Sequence, residues 1–150
     1  MYIKMIYIMY KITIGDYKYI GSTKDFKQRK IRHKSNCINN NDKNYNCKVY
    51  QMIRESGGWD KCEITPIEEY ECETSIQAHI REEYWRRLYD PILNSRLAYL
   101  SEEEKKEKDH IRACTNYTCE CGGKYTHQNK TIHERTKKHQ DYLANNNVSI

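Results

Sequence analysis

The feature that most constrains this chain lies near its start. Residues 2–21 alternate in character and are rich in β-branched and aromatic side chains, and Gly15-Asp16 separates the runs Tyr10-Lys11-Ile12-Thr13-Ile14 and Tyr17-Lys18-Tyr19-Ile20. Alternation with a period of two marks a strand with one buried face, and Gly supplies the positive φ that a two-residue hairpin turn requires. The chain is therefore expected to open with a β-hairpin whose turn sets its register: Ile14 opposite Tyr17, Ile12 opposite Tyr19 and Tyr10 opposite Gly21. Residues two apart share a face, so Tyr10 and Tyr19 fall on one side and Tyr7 on the other.

After the hairpin, Ser22 or Asp25 can cap a basic helix reaching to about Asn36, and residues 35–46, with six Asn, read as a loop. A second helix is predicted from about Tyr45 to Ser56, ended by Gly57-Gly58. Cys62 to Tyr70 reads as a third strand, in which Pro66 demands an edge position or a bulge. Thr74-Ser75-Ile76-Gln77 is a capping box that opens a long helix to about Tyr89, stopped at Asp90-Pro91. On this helix Ile76, Ile80, Tyr84 and Leu88 form an i, i+4 stripe expected to face the core, flanked by Ala78, Glu82, Trp85 and Tyr89. Ser101 to Glu104 caps a further charged stretch through Arg112 with almost no apolar face. This order predicts an α+β fold, a small three-stranded antiparallel sheet flanked by helices (β-β-α-α-β-α), followed by a helical linker and a small zinc-finger-like C-terminal segment. The expected divisions are 1–97, 98–113 for the linker, 114–143 for the finger-like module and 144–150 for a disordered tail.

Composition narrows the class. Only 37% of the residues are apolar, and Tyr supplies 14 of them, so the core must be small and rich in Ile and Tyr. Seven cysteines are an odd number, and the run Met1 to Ile14 is broken by Lys4 and Lys11 and lacks a small-residue cleavage site. Neither a disulfide framework nor a signal peptide is expected, and a reducing intracellular compartment is. The longest uncharged apolar stretch, Met5 to Tyr10, is too short to cross a bilayer. The net charge of +5 is concentrated in two places: Lys24, Lys27, Arg29, Lys30, Arg32 and Lys34 against Asp25, and Lys124, Lys130, Arg135, Lys137 and Lys138 against Glu134. Two compact basic patches suit binding to a phosphate backbone, with Lys24, Lys27, Lys30, Lys34, Lys137 and Lys138 as the candidate contacts; solvated helix faces would carry the same charges.

Tyr19-Ile20-Gly21-Ser22-Thr23-Lys24-Asp25-Phe26, followed by Arg29 and His33, resembles the signature of GIY-YIG nucleases. Arg81-Glu82-Glu83-Tyr84-Trp85 and Pro91-Ile92-Leu93-Asn94 resemble that family's late helix and closing Asn. The resemblance covers about residues 5–97, and the segment Arg54-Glu55-Ser56-Gly57-Gly58-Trp59 is most similar to small GIY-YIG proteins of large DNA viruses. No Gly-Ile-Tyr occurs, so the first-motif tyrosine is Tyr7 or Tyr10. Spacing to Tyr19 favours Tyr7, because it matches the gap usual in the family; hairpin geometry favours Tyr10, which faces Tyr19. Tyr10 is the expectation taken forward.

Hydrolysis of a phosphodiester needs a positioned nucleophile, positive charge on the phosphate and a proton supply. Arg29 and His33 stand i, i+4 on one helix and are expected to reach one phosphate, Arg by a bidentate contact and His as a titrating group. Glu82 would ligate a single Mg²⁺ or Mn²⁺ acting as a Lewis acid; Ala78 and Trp85 bracket it, placing it at the edge of the core, whereas Glu83 falls on a different side. By resemblance, Tyr10 would be the general base, and Tyr19 and Asn94 positioning groups. The catalytic set is thus Tyr10, Tyr19, Arg29, His33, Glu82 and Asn94. A metal-dependent DNA endonuclease is the leading expectation, with RNA not excluded as substrate. The altered first motif supports an alternative, a catalytically silent nucleic-acid-binding module of the same fold.

Near the C-terminus, Cys119, Cys121, His133 and His139 have the spacing C-x-C-x11-H-x5-H, and two thiolates with two imidazoles are the soft tetrahedral set of structural Zn²⁺. The wide His spacing and Lys137-Lys138-His139-Gln140 resemble matrin-type C2H2 fingers, although the C-x-C knuckle is shorter than usual. Cys114 is an alternative first ligand and His127 an alternative third. Zinc suits a segment of this size, whose core would be little more than Tyr125, Ile132 and Tyr142. Cys37, Cys47, Cys62 and Cys72 have no metal-like spacing.

Overall fold

The computed structural model describes residues 4–146. The chain divides into two compact units, Met1–Tyr99 and Leu100–Ile150. In the first, strands β1 (Met5–Ile14) and β2 (Tyr17–Thr23) form the hairpin around Gly15 at φ 55°, with Ile14 opposite Tyr17, Ile12 opposite Tyr19 and Tyr10 opposite Gly21. Helix α1 (Phe26–Ile38) follows; Asp25, rather than Ser22, is its N-cap and accepts the Gln28 N–H at 2.8 Å. Asx turns at Asn39 and Asp42 lead into α2 (Lys48–Glu55), which ends at Gly57 and Gly58, both at positive φ. Strand β3 (Glu63–Cys72) and helix α3 (Ser75–Tyr89), opened by the Thr74/Gln77 capping box, complete the order β-β-α-α-β-α. The fold is α+β.

The sheet order is β2-β1-β3, all antiparallel, so Pro66 lies on an edge strand. It also lies at a bulge: Tyr10 opposes Pro66 but Met9 opposes Glu68, leaving Ile67 as the extra residue. One extra residue reverses the faces of a strand. Ile64 therefore packs with Tyr10, Ile12 and Ile14 against Cys37 of α1 and Val49, Tyr50 and Ile53 of α2, while Cys72 packs with Met9 against Ala78 of α3. The bulge is what lets one strand serve cores on both sides of the sheet.

Helix α3 corrects the amphipathic reading. Ile76, Ile80, Tyr84 and Leu88 are exposed, and the buried residues are Ala78, Glu83 and Arg86. The packed side is built from small and paired polar groups instead of aliphatic ones. Ala78 allows close approach to Met9; Arg81 and Trp85 converge on Glu68 at 2.7 Å each; and Glu83 accepts from Arg86 at 2.8 Å and from the Ala98 N–H at 2.9 Å. Each acid is satisfied, which removes the penalty of withdrawing it from water. Hydropathy spacing cannot register such a face.

The second unit contains α4 (Glu102–Cys114) with a Ser101/Glu104 capping box, a short hairpin of β4 (Asn116–Thr118) and β5 (Lys124–Thr126), α5 (Lys130–Glu134) and α6 (Lys137–Asn146). Arg112 of α4 donates to the His127 ring at 2.8 Å, which attaches that helix to its own unit. Helix α6 continues through Asn146 into the stretch expected as a disordered tail, whose remaining residues 147–150 lie outside the described residues. No helix among the described residues is long and apolar enough to cross a membrane.

Candidate active site

The register of the hairpin brings the two tyrosines together. Tyr10 and Tyr19 stand on one face of the sheet with ring centroids 6.4 Å apart, whereas Tyr7 packs on the other side around Met9 and Cys72. Tyr10 crosses Gly21, where a Cβ would stand 2.5 Å from the Tyr10 hydroxyl; this close approach is the reason for a glycine in that position. Helix α1 then delivers Arg29 and His33 to the same hydroxyl. Arg29 Nε–H donates to Tyr10 Oη at 2.7 Å, and His33 Nε2 lies 2.8 Å from it.

His33 does not occupy the place expected of it. The ring is 2% exposed, with Nδ1 2.9 Å from Tyr50 Oη, and burial together with the nearby guanidinium groups of Arg29 and Arg32 lowers its pKa to about 3. A sealed neutral imidazole does not share a phosphate with Arg29, which corrects that expectation; it serves as a hydrogen-bond partner of Tyr10. Tyr10 is itself wholly buried, and desolvation raises its pKa strongly against the opposing pull of Arg29. Tyr19 is the tyrosine of the pair that lines the adjoining cavity, of about 590 Å³.

Arg29, Glu82 and Asn94 line the same cavity. Glu82 projects from α3 to the end of β2, where Ser22 donates to its Oε2 at 2.5 Å; burial raises its pKa, offset by that bond. One carboxylate at a cavity wall fits a hard divalent cation that keeps water and phosphate oxygens as its other ligands. Glu83, consumed by Arg86 and the Ala98 N–H, is unsuited to such a role. Asn94 accepts the Ile20 N–H at 2.9 Å and donates to the Ile20 carbonyl at 2.7 Å, so it satisfies the outer backbone edge of β2 next to Tyr19.

Lys24, Lys27, Lys30 and Lys34 are all exposed along and before α1. Arg32, Lys48 and Arg96 also line the cavity, and Ser22, Asn36 and Tyr50 support it. Arg32 belongs to the basic patch and Ser22 to the motif-like run, but Asn36, Lys48, Tyr50 and Arg96 do not stand out in the sequence: Tyr50 is one of 14 tyrosines, and the Asn-rich stretch conceals Asn36.

In the second unit, one ligand atom from each of Cys119, Cys121, His133 and His139 lies within 4.8 Å of the others. Cys119 Sγ is 3.4 Å from His139 Nδ1, and Cys121 Sγ is 3.4 Å from His133 Nε2. These separations suit the edge of a tetrahedron around a metal at thiolate and imidazole bond lengths, roughly 3.5 Å. The short knuckle closes through Gly122 at φ 72°, and a Cβ on Gly123 would meet His133 Cε1 at 2.5 Å. Cys114 lies outside the group, 3.8 Å from His110 Nε2, and His127 is engaged by Arg112. The exposed Lys137 and Lys138 begin the helix that carries His139. The four residues could hold a metal ion.

No curated protein and no solved structure matches the chain. The model of the GIY-YIG catalytic domain matches residues 3–96, a span that includes the hairpin, Arg29, Glu82 and Asn94. The chain therefore belongs to the GIY-YIG family, a family of nucleases that act on nucleic acid.

Proposed function

We propose that this protein is a metal-dependent DNA endonuclease whose catalytic domain spans residues 1–97. In this reading residues 98–113 link it to a zinc-holding module of residues 114–143 that binds phosphate through Lys137 and Lys138. The observation that carries the reading is the convergence of Arg29 and Tyr10 at 2.7 Å, with Tyr19, Arg29 and Glu82 on one cavity.

Arg29 gives its Nε–H to Tyr10 and also hydrogen-bonds Tyr19, and its remaining N–H groups hold the scissile phosphate. Tyr19, the one of the two tyrosines on the cavity, orients the attacking water, whose proton leaves to cavity water, while Tyr10, held between Arg29 and the neutral His33, fixes the position of that guanidinium. Both tyrosines stay protonated, because burial raises their pKa values, and His33 stays neutral. The electron pair left on the water oxygen forms the new P–O bond, and the leaving oxygen departs with the old one and takes a proton from cavity water. A Mg²⁺ or Mn²⁺ held by Glu82 would supply Lewis-acid stabilisation of the phosphate. Asn94 holds the β2 edge and with it Tyr19. Lys24, Lys27, Lys30 and Lys34 carry the flanking phosphates.

Plasmid nicking with Mg²⁺ or Mn²⁺ tests this. Wild type cleaves, and Glu82→Ala is slower by about a hundredfold or more. No cleavage by wild type, with binding retained, would leave the silent nucleic-acid-binding module as the function. Matched DNA and RNA substrates decide the sugar, since phosphate contacts carry no such information.

A further inference from the structure

His33 has both ring nitrogens engaged, and the Tyr50 end of its surroundings selects how the protons are arranged. The groups facing it are Tyr10 from β1, Tyr19 from β2, Tyr50 from α2, and Arg29 and Arg32 from its own helix, with the three tyrosine rings 5.6 to 5.8 Å from the imidazole. A neutral imidazole carries one N–H, so one nitrogen donates and the other accepts. At the Tyr10 end, Arg29 can only donate, and its Nε–H takes one acceptor position of Tyr10 Oη at 2.7 Å, while the Tyr10 hydroxyl has His33 Nε2 at 2.8 Å to donate to. At the other end, Asn36 lies 3.2 Å from Tyr50 Oη. With its amide nitrogen turned toward Asp42 Oδ2 at 3.1 Å and the Arg32 carbonyl at 3.2 Å, its oxygen accepts the Tyr50 hydroxyl. The opposite orientation would face the amide oxygen with two acceptors. Every donor then points the same way, from Arg29 through Tyr10, His33, Tyr50 and Asn36 to Asp42, with a cation that only donates at one end and a carboxylate at the other.

We propose that Tyr50 and Asn36 are positioning residues of the nuclease site: they hold His33 as the Nδ1–H tautomer, so that Nε2 stands bare to accept the Tyr10 hydroxyl and fix it against Arg29. This rests on the nuclease reading for its catalytic consequence, not for its geometry. As in hydrolytic triads, a third group fixes the tautomer of the histidine, but here a phenol takes the carboxylate's place and the neutral imidazole orients Tyr10 instead of taking up a proton. It differs from simple packing because Tyr50→Phe keeps the ring and removes only the acceptor.

The test is ¹⁵N NMR of the His33 ring in the full chain without DNA, assigned by difference against His33→Gln, together with cleavage kinetics. Wild type carries its proton on Nδ1. In Tyr50→Phe the Nε2–H form becomes the major one, kcat falls about tenfold to a hundredfold and KM for DNA stays within about twofold. Asn36→Ala, which leaves Tyr50 in place but frees its hydroxyl, shifts the same populations less far and serves if Tyr50→Phe does not fold. A wild-type ring protonated on Nε2, or a tautomer unchanged in both variants, overturns the proposal. A wild type that cleaves nothing yet carries its proton on Nδ1 overturns the nuclease reading and leaves the orienting chain standing.

Discussion

Gly21 and His33 mark where single residues decide the site. The Tyr10 ring passes over Gly21 so closely that an alanine Cβ would fall 2.5 Å from the hydroxyl and 2.6 Å from Cζ. Gly21→Ala must therefore displace the tyrosine that Arg29 and His33 hold. Overpacking of this kind costs about 1–3 kcal/mol, read from a urea melt, and nicking should fall with it. His33 makes a separate prediction about pH. Its pKa is about 3 in the folded chain against 6.5 for the free side chain, so below pH 6.5 the unfolded chain binds a proton that the folded chain refuses. The stability contributed by the neutral ring is complete above that value and is lost as pH falls from 6.5 toward about 3. The slope reaches up to ~1.4 kcal/mol per pH unit. Urea melts of wild type and His33→Gln across this window should differ in slope, the variant being the flatter.

At the scale of elements, β2 and α3 illustrate two ways of finishing a small sheet. Strand β2 is an edge, and Asn94 answers both the N–H and the carbonyl of Ile20 on its open side. Asn94→Ala leaves those groups to water at a cost of about 1–3 kcal/mol, visible as faster hydrogen exchange at the Ile20 amide. Helix α3 buries Ala78 and paired charges while its aliphatic stripe faces outward. Ile80→Lys should accordingly change stability by no more than about 0.5 kcal/mol. Ala78→Leu, forced against Met9, should lose about 1–3 kcal/mol in the same denaturation assay. Had the stripe been the packed face, the two results would be reversed.

At the scale of the whole molecule, the two units differ in what sustains them. The first has a connected core of Ile, Tyr and Val between the sheet and α1 and α2. Buried side chains of the second are confined to Cys121 and His133 among the described residues, and exposed residues there include Ile111, Tyr117, Ile132 and Leu143. So small a core folds poorly without a staple. With zinc bound by Cys119, Cys121, His133 and His139, a chelator or Cys121→Ser should remove hydrogen-exchange protection from β4, β5 and α5 while β1 and β3 keep theirs. One zinc per chain is the expected stoichiometry. Changing Lys137 and Lys138 to Glu should weaken DNA binding and lower its dependence on salt, because fewer counterions are released.

What local chemistry dictates was legible in the sequence. The hairpin follows from alternation and a turn glycine, the capping box from Thr74 and Gln77, a helix cap from Ser22 or Asp25, an edge or a bulge from Pro66, and the metal-like quartet from its spacing. The facing of Tyr10 and Tyr19 also belongs here, since strand parity is a property of the chain alone. The tertiary structure decided what depends on neighbours distant in sequence. Burial turned His33 from a phosphate contact into the hidden partner of two tyrosines, and of Tyr10 and Tyr19 it left only Tyr19 lining the cavity. It also selected the buried side of α3, because the Glu83–Arg86 pair and Ala78 leave no trace in hydropathy periodicity. Tyr50 and Asn36 acquired their roles only when α2 docked beside α1, for a hydrogen bond between residues 17 apart has no signature until both ends are in place.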